Sequence, residues 1–428
     1  MTGLLLFMLL GLLAGMRIAI ALGFAALLYV FFYTDMSPLV VVQQVSNGAD
    51  ALVLLAVPFF LLAGELMNAG GITRRLVRFS LALLGNVRGG LSYVVILTNI
   101  ILAMVSGAAI ASGAAVGSTL IPAMKERGYP AGFSAAVNAA AATIGPVIPP
   151  SVGFIIYASL ANVSVGKLFV AGAIPGLLAG LFMTGVCAWE SRRRHFPRGT
   201  DRNRAELWAA FKAAAWSLFM PVLILGGIIS GIVTPTEAGA LAVAYGGFVG
   251  VFVHKDLTFR DLIPVFLRAA RQTSVIMFII AGASAFGFLI SRDVNPDFFA
   301  QIFQTFEGSP QGLMLALIAL VLVLGTFMEG GSIMIILTPL LAPVLPAQGI
   351  DLIHFGVVFQ LAIMIGLLTP PVGILLFVIS GAGNVPVREI LRDIRPFYLA
   401  LVLVLLLVAF VPQTTSWLVE ILGTGLRS

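Results

Sequence analysis

Two stretches of this chain nearly copy each other at points where an apolar helix cannot continue. One reads Ile148-Pro149-Pro150-Ser151-Val152-Gly153-Phe154; the other reads Thr369-Pro370-Pro371-Val372-Gly373-Ile374. Each follows an apolar run reaching a glycine (Gly145, Gly366). Each leads to a Val-x-Val segment (Val163 to Val165, Val385 to Val387) and then to a proline (Pro175, Pro396). The spacing holds near 370 − 149 = 221 residues. Proline inside a helix removes a hydrogen bond and clashes with the preceding turn, so both runs must break. Paired interruptions in corresponding places of two halves point to a binding site assembled at membrane depth.

Composition sets the solvent. Hydrophobic residues make up 60% of the 428 positions and charged residues 10%, which defines an all-α integral membrane protein. Spanning helices need about 20 apolar residues. By that measure nine spans are predicted, at about 4–33, 51–69, 131–160, 168–190, 213–232, 238–254, 272–291, 354–381 and 396–418. Two further stretches, 91–124 and 312–344, carry small or helix-breaking residues near their middles and read as re-entrant hairpins. The run from Leu4 to Tyr33 lacks a charged leader and exceeds the apolar core of a signal peptide, so it is taken as the first span.

Charge orients these segments. The loops 74–88, 192–212, 255–271 and 388–395 are basic, and Lys125 and Arg127 mark a fifth. Loops 34–50, 294–311 and 345–353 carry no Lys or Arg. Nine spans and two same-side hairpins put every basic loop on one face, the cytoplasmic one by the positive-inside rule. The N-terminus is then expected inside and the C-terminus outside. The net charge of +6 therefore needs no nucleic-acid partner. Equivalent loops of the two halves swap faces: 34–50 with 255–271, 74–88 with 294–311, and 125–127 with 345–353. The halves are thus inverted: 1–190 is the first repeat, 191–237 a basic loop with a linker helix, and 238–428 the second repeat.

The interrupted segments can hold a hard cation. Ser106-Gly107-Ala108-Ala109-Ile110-Ala111-Ser112-Gly113 lets the backbone turn and frees carbonyls, while its hydroxyls add oxygen ligands without net charge. Small-residue packing is the bland alternative. The second hairpin reads Gly325-Thr326-Phe327-Met328-Glu329-Gly330-Gly331-Ser332. A carboxylate at membrane depth costs roughly 2.5–3.5 kcal/mol, so Glu329 is expected to be paired or functional. Glu65 lies nearer a helix end and suits an interface anchor. Arg292, a lone cation on the cation-poor face, suits bidentate binding of a carboxylate, or snorkelling beside Asp293. Thr234-Pro235-Thr236-Glu237 is a helix-start signature. Arg17 is an unassigned charge inside the first apolar run. The single Cys187 excludes a disulfide, and His195, His254 and His354 have no partners at ligand spacing, so no transition-metal site is expected.

The chain resembles the large membrane subunit of tripartite ATP-independent periplasmic (TRAP) transporters over nearly its whole length. The matching stretches are 58–67 (Pro-Phe-Phe-Leu-Leu-Ala-Gly-Glu-Leu-Met), 117–124, 143–151 (Thr-Ile-Gly-Pro-Val-Ile-Pro-Pro-Ser), 234–238 and 366–373 (Gly-Leu-Leu-Thr-Pro-Pro-Val-Gly). The resemblance implies an elevator-type, sodium-driven importer of small organic acids, with no cofactor beyond its coupling ions. It implies a periplasmic substrate-binding protein and a small four-helix membrane subunit as partners. It places sodium at Ser106, Ser112, Thr143 and Gly145, and at Gly325, Glu329, Thr369 and Gly373. It places substrate near Arg292, Ser332, Pro149 and Pro370. Ser112 stands where the family often has an acidic residue, Glu329 where it has aspartate, and Arg17 where it has proline. The chain is not expected to be an enzyme, since no nucleophile–base pair or P-loop is present. The nearest rival is a stand-alone sodium/carboxylate symporter that needs no binding protein.

Overall fold

The computed structural model describes residues 2–50, 52–199, 203–293 and 309–422. Most of the predicted loop 294–311 and the Asp293 side chain lie outside the described residues. The described residues form helices and no strands. Four helices are individually long and apolar enough to span: α10 (Val165–Arg193), α11 (Arg204–Ile229), α12 (Pro235–Phe248, extended by one π turn to Val253) and α13 (Phe259–Asp293).

The first apolar run is not one span. It folds as α1 (Thr2–Leu13) and α2 (Ile18–Tyr33), which pack antiparallel. A Cβ on Gly3 would lie 3.1 Å from the Tyr33 ring, and one on Gly11 3.4 Å from Ala21. The turn uses Gly15 at φ +80, and Arg17 sits exposed where α2 begins. Arg17 is therefore a turn residue rather than a charge buried in a span. The hairpin also returns residue 3 to the end where Tyr33 lies, so the single-span count that put the N-terminus on the basic face does not hold. α3 (Leu39–Ala49) and α4 (Ala56–Ala69) follow, and then amphipathic α5 (Ile72–Leu84).

Both hairpins form. The first is α6 (Gly90–Ser106) and α7 (Ala109–Glu126), turning at Gly107 with φ +64; the second is α14 (Pro310–Gly325) and α15 (Gly330–Leu341). Both broken helices form as well. α8 (Ala131–Ile144) gives way at 145–151 to α9 (Val152–Ala161), and α16 (Leu352–Gly366) gives way at 367–373 to α17 (Ile374–Gly383). Each second half ends on an asparagine in the left-handed region, Asn162 and Asn384, a residue type that tolerates it. α18 (Val387–Asp393), α19 (Arg395–Phe410) and α20 (Gln413–Leu422) complete the chain.

The packing is reciprocal. The first helix of each hairpin lies on the first half of its own broken helix: α6 on α8, and α14 on α16. The second helix of each hairpin lies on the second half of the other broken helix: α7 on α17, and α15 on α9. That exchange is how two inverted copies close on one another. Tyr157 fastens the crossing, donating its hydroxyl to the Leu352 carbonyl at 2.7 Å.

The basic loops gather at one end. Arg75 pairs with Asp256, Arg78 with Glu206, and Arg194 with Asp393. Residues 85–86 and 127, on either side of the first hairpin, line one cavity. At the opposite end, residues 162–167, 231–237 and Ile353 surround a cavity of about 920 Å³. The His354 ring meets the Thr415 hydroxyl there at 2.9 Å. α8 begins beside Arg127 at the first end and α9 finishes beside Asn162 at the second, so residues 125 and 350 lie at opposite ends of the molecule.

Candidate functional site

The hairpin tips and helix breaks converge on a cavity of about 140 Å³. Gly107 to Ile110 come from the first tip and Glu329 to Gly331 from the second. Pro146 and Leu367 come from the breaks, Val152 and Gly153 from the start of α9, and Leu61, Ile276 and Ile279 from α4 and α13. Among the lining residues only Glu329 and Gln360 carry polar side chains.

On the first side, Gly145 presses so closely on α6 that a Cβ there would lie 1.9 Å from that of Ala103. Ala103 is one turn before Ser106. The Ser106 hydroxyl is buried with no hydrogen-bond partner among the described residues, an arrangement that leaves an oxygen available to a guest. Thr143 donates to the Ala140 carbonyl at 2.7 Å, and Ser112 donates back to Ala108 and Ala109. Both hydroxyls thus keep their acceptor lone pairs. A buried amide pair ties these helices: Asn99 donates to Asn138 at 2.9 Å and Asn138 donates to the Gly113 carbonyl at 2.8 Å.

On the second side, Gly325 and Gly366 bring two backbones into contact. Gly373, at φ +58, donates its N–H to the Thr326 carbonyl at 3.1 Å. The carbonyls of Thr369 and Leu367 lie 3.2 and 3.4 Å from where a Gly373 side chain would begin. Thr369 donates to Ile365 and meets the Tyr398 hydroxyl at 3.2 Å. Convergent carbonyls at a glycine cradle suit a hard monovalent cation. Glu329 caps α15, accepting from the Ser332 N–H at 3.3 Å, so its carboxylate faces both the helix start and the cavity.

The other expected substrate residues lie elsewhere. Pro149 is buried and Pro370 exposed, and neither lines this cavity. Ser332 is buried beneath Glu329. Arg292 lies 13 residues beyond Ile279 on α13, about 20 Å along the helix, with its guanidinium against the Met36 sulfur. Gln360, Asn99 and Asn138 were not among the expected residues. The available signal was a lone amide in an otherwise apolar span, which must find a partner inside the bundle.

Three residues expected to be structural take up scaffold roles. Thr234 and Glu237 form a complete capping box at the start of α12. Glu65 accepts from Arg268 at 2.9 Å and from Gln272 at 3.0 Å, joining α4 to α13. Because Arg268 is half-exposed, Glu65→Gln is expected to cost at most about 1 kcal/mol, read as a small fall in Tm with transport retained. Loss of transport at unchanged Tm would instead put Glu65 in the transport chemistry.

A cage of two broken helices and two oppositely inserted hairpins defines an inverted-repeat membrane permease for secondary transport. Residues 4–414 match the "Tripartite ATP-independent periplasmic transporter, DctM component" family, and the chain belongs to it. It is 39% identical over 406 residues to the 2,3-diketo-L-gulonate TRAP transporter large permease of Escherichia coli (strain K12), covering 94% of this chain and 96% of that one. It is 39% identical over 413 residues to the sialic acid TRAP transporter large permease SiaM of Vibrio cholerae, covering 96% and 97%. It is 38% identical over 403 residues to the C4-dicarboxylate TRAP transporter large permease DctM of Pseudomonas aeruginosa, covering 94% of each. The fold matches the Alcanivorax borkumensis YdaH transporter at TM-score 0.64, with 16% identity and 88% of each chain covered. These relatives are transporter permeases and not enzymes.

Proposed function

We propose that this permease imports a small organic acid, delivered by a periplasmic substrate-binding protein and driven by sodium. The observation that carries the reading is the meeting of both tips and both breaks on one cavity, beside the unpartnered Ser106 hydroxyl and the Gly373 carbonyl cradle. The residues fit the ion: Ser106, Thr143 and Gly145 would frame one sodium, and Gly325, Thr369, Gly373 and their carbonyls the other. Glu329 neutralises part of the added charge. Each sodium moving inward across 100 mV contributes about 2.3 kcal/mol, and a monocarboxylate takes back one such unit.

The moving body in this reading is the pair of hairpins with their broken helices. α4 and α13 form the wall, where Gly64 lies against Ser106 and Gly287 against Pro339. Small residues on both contacts suit sliding of one body past the other. A small four-helix membrane subunit would brace the opposite side of that wall. The basic end faces the cytoplasm, while the N-terminus and α20 lie on the periplasmic side. Residues 1–190 and 238–428 act as the two inverted repeats, joined through 191–237.

The test is uptake in proteoliposomes containing this chain, the small subunit and the binding protein. Accumulation is expected only under an inward sodium gradient, and only with the binding protein present. Equal uptake in potassium or choline would reject the coupling. Full uptake without the binding protein would establish the stand-alone symporter instead.

A further inference from the structure

Gln360 is the polar group of the cavity that ion coupling leaves unused. It lies on α16, 3% exposed, with its side chain lining the space between the hairpin tips. Among the described residues no hydrogen bond reaches its amide. That amide opens onto a space that can hold a guest able to take up its hydrogen bonds. Gly153 keeps it there: a Cβ at that position would lie 2.6 Å from Gln360 Oε1.

The cavity walls also differ in electrostatic character. α15 begins under the Glu329 carboxylate, whereas α7 begins at Ala108 with no side chain capping its first amides. Ala108, Ala109 and Ile110 line the same cavity. An open helix start presents N–H donors and partial positive charge to an anion. Gln360 both donates and accepts, so it can read either a hydroxyl or a keto oxygen. The cavity, of about 140 Å³, suits a small acid.

We propose that Gln360 sets substrate specificity. The guest is a short-chain carboxylic acid bearing a hydroxy or keto oxygen, its carboxylate at the open start of α7 and that oxygen on the Gln360 amide. The assignment rests on the acid-import reading above and names the substrate class of that same site. The relatives' names do not decide it, since permeases of similar identity are named for a sugar acid, sialic acid and C4-dicarboxylates.

The test titrates the purified permease with its small subunit, in sodium chloride and in choline chloride, by calorimetry. The probes are lactate, pyruvate, propionate and N-acetylneuraminate. Lactate and pyruvate are expected to bind about ten-fold tighter than propionate, as one hydrogen bond to a buried amide allows, and N-acetylneuraminate is expected not to bind. Gln360→Leu should bring lactate down to the propionate level and leave propionate unchanged, while Gln360→Asn keeps part of the preference. Ligand-free melting shows whether each variant folds. If Gln360→Leu does not fold, Gly153→Ala, which crowds the amide, should weaken lactate more than propionate.

A folded Gln360→Leu with the wild-type lactate-to-propionate ratio would overturn the assignment. So would tight binding of N-acetylneuraminate, or no binding of any small acid. Binding that depends on Gln360 but not on sodium would sink the coupling and leave Gln360 standing. Sodium-dependent binding indifferent to Gln360 would do the reverse.

Discussion

Gly366→Val is expected to abolish transport and to leave little folded protein. α14 and α16 cross with their backbones touching: a Cβ on Gly366 would lie 2.7 Å from the Gly325 Cα, and one on Gly325 2.8 Å from the Gly366 Cα. Neither contact is with a flexible side chain that could move aside. Extra methylenes in a packed interior cost about 1–3 kcal/mol even where neighbours relax; here a whole backbone has to shift. The shift would reach Thr326 and Gly373, whose backbone bond joins the second hairpin to its break. The contrast is Gly381 in α17, where an added Cβ meets nothing within 4 Å. Gly381→Ala is expected to be neutral or to stabilise by up to about 1 kcal/mol through helix propensity. Uptake and Tm on the two variants decide the matter; a functional Gly366→Val would mean that the helices do not cross so closely.

The second large effect concerns the first break. Gly145→Ala puts two methyl groups 1.9 Å apart, against Ala103, and is expected to reduce uptake to background. The clash is with one atom, so it can be relieved. With Ala103→Gly added, the nearest remaining atom is the Ala103 Cα at 3.4 Å, an ordinary contact. The double variant should therefore recover transport, at a cost of about 1 kcal/mol for glycine inside α6. Ala103→Gly alone should be mildly destabilising and active. Failure of the double variant to recover while it remains folded would show that Gly145 is needed for more than space, for instance as a backbone ligand held in one conformation.

Both glycines flank breaks that the sequence announced, and the reason they were legible is local. Proline pairs after a glycine cannot continue a helix whatever surrounds them, so the breaks at 145–151 and 367–373 were readable without a structure. The Thr234 capping box was readable for the same reason, since Thr234 and Glu237 satisfy one another. The run 4–33 lacked any such mark. No proline interrupts it, and Gly15 with Arg17 is a weak signal inside an apolar stretch that two short helices or one long one fit equally well. The choice is made by packing of α1 on α2 and of α2 on α13, which hydropathy cannot see.

The cavity was half legible. Glu329, as a carboxylate inside an apolar hairpin, had to matter to the fold or the site, and it caps α15 and lines the cavity. Gln360 and the Asn99–Asn138 pair carry no charge and lie within helical runs, so nothing local distinguishes their faces. Which prolines shape a break and which atoms face the cavity is likewise tertiary. Pro146 lines the space, whereas Pro149 is buried away from it.

The opposed insertion of the two halves can be read directly by sided labelling. Cys187 is buried and should stay silent, so single cysteines can be introduced at exposed Arg127 and Ala347 and at Thr2, and treated in intact cells with a membrane-impermeant maleimide. Ala347→Cys and Thr2→Cys are expected to react at once, and Arg127→Cys only after permeabilisation. Reaction of Arg127→Cys and Ala347→Cys from the same compartment would contradict the inverted arrangement.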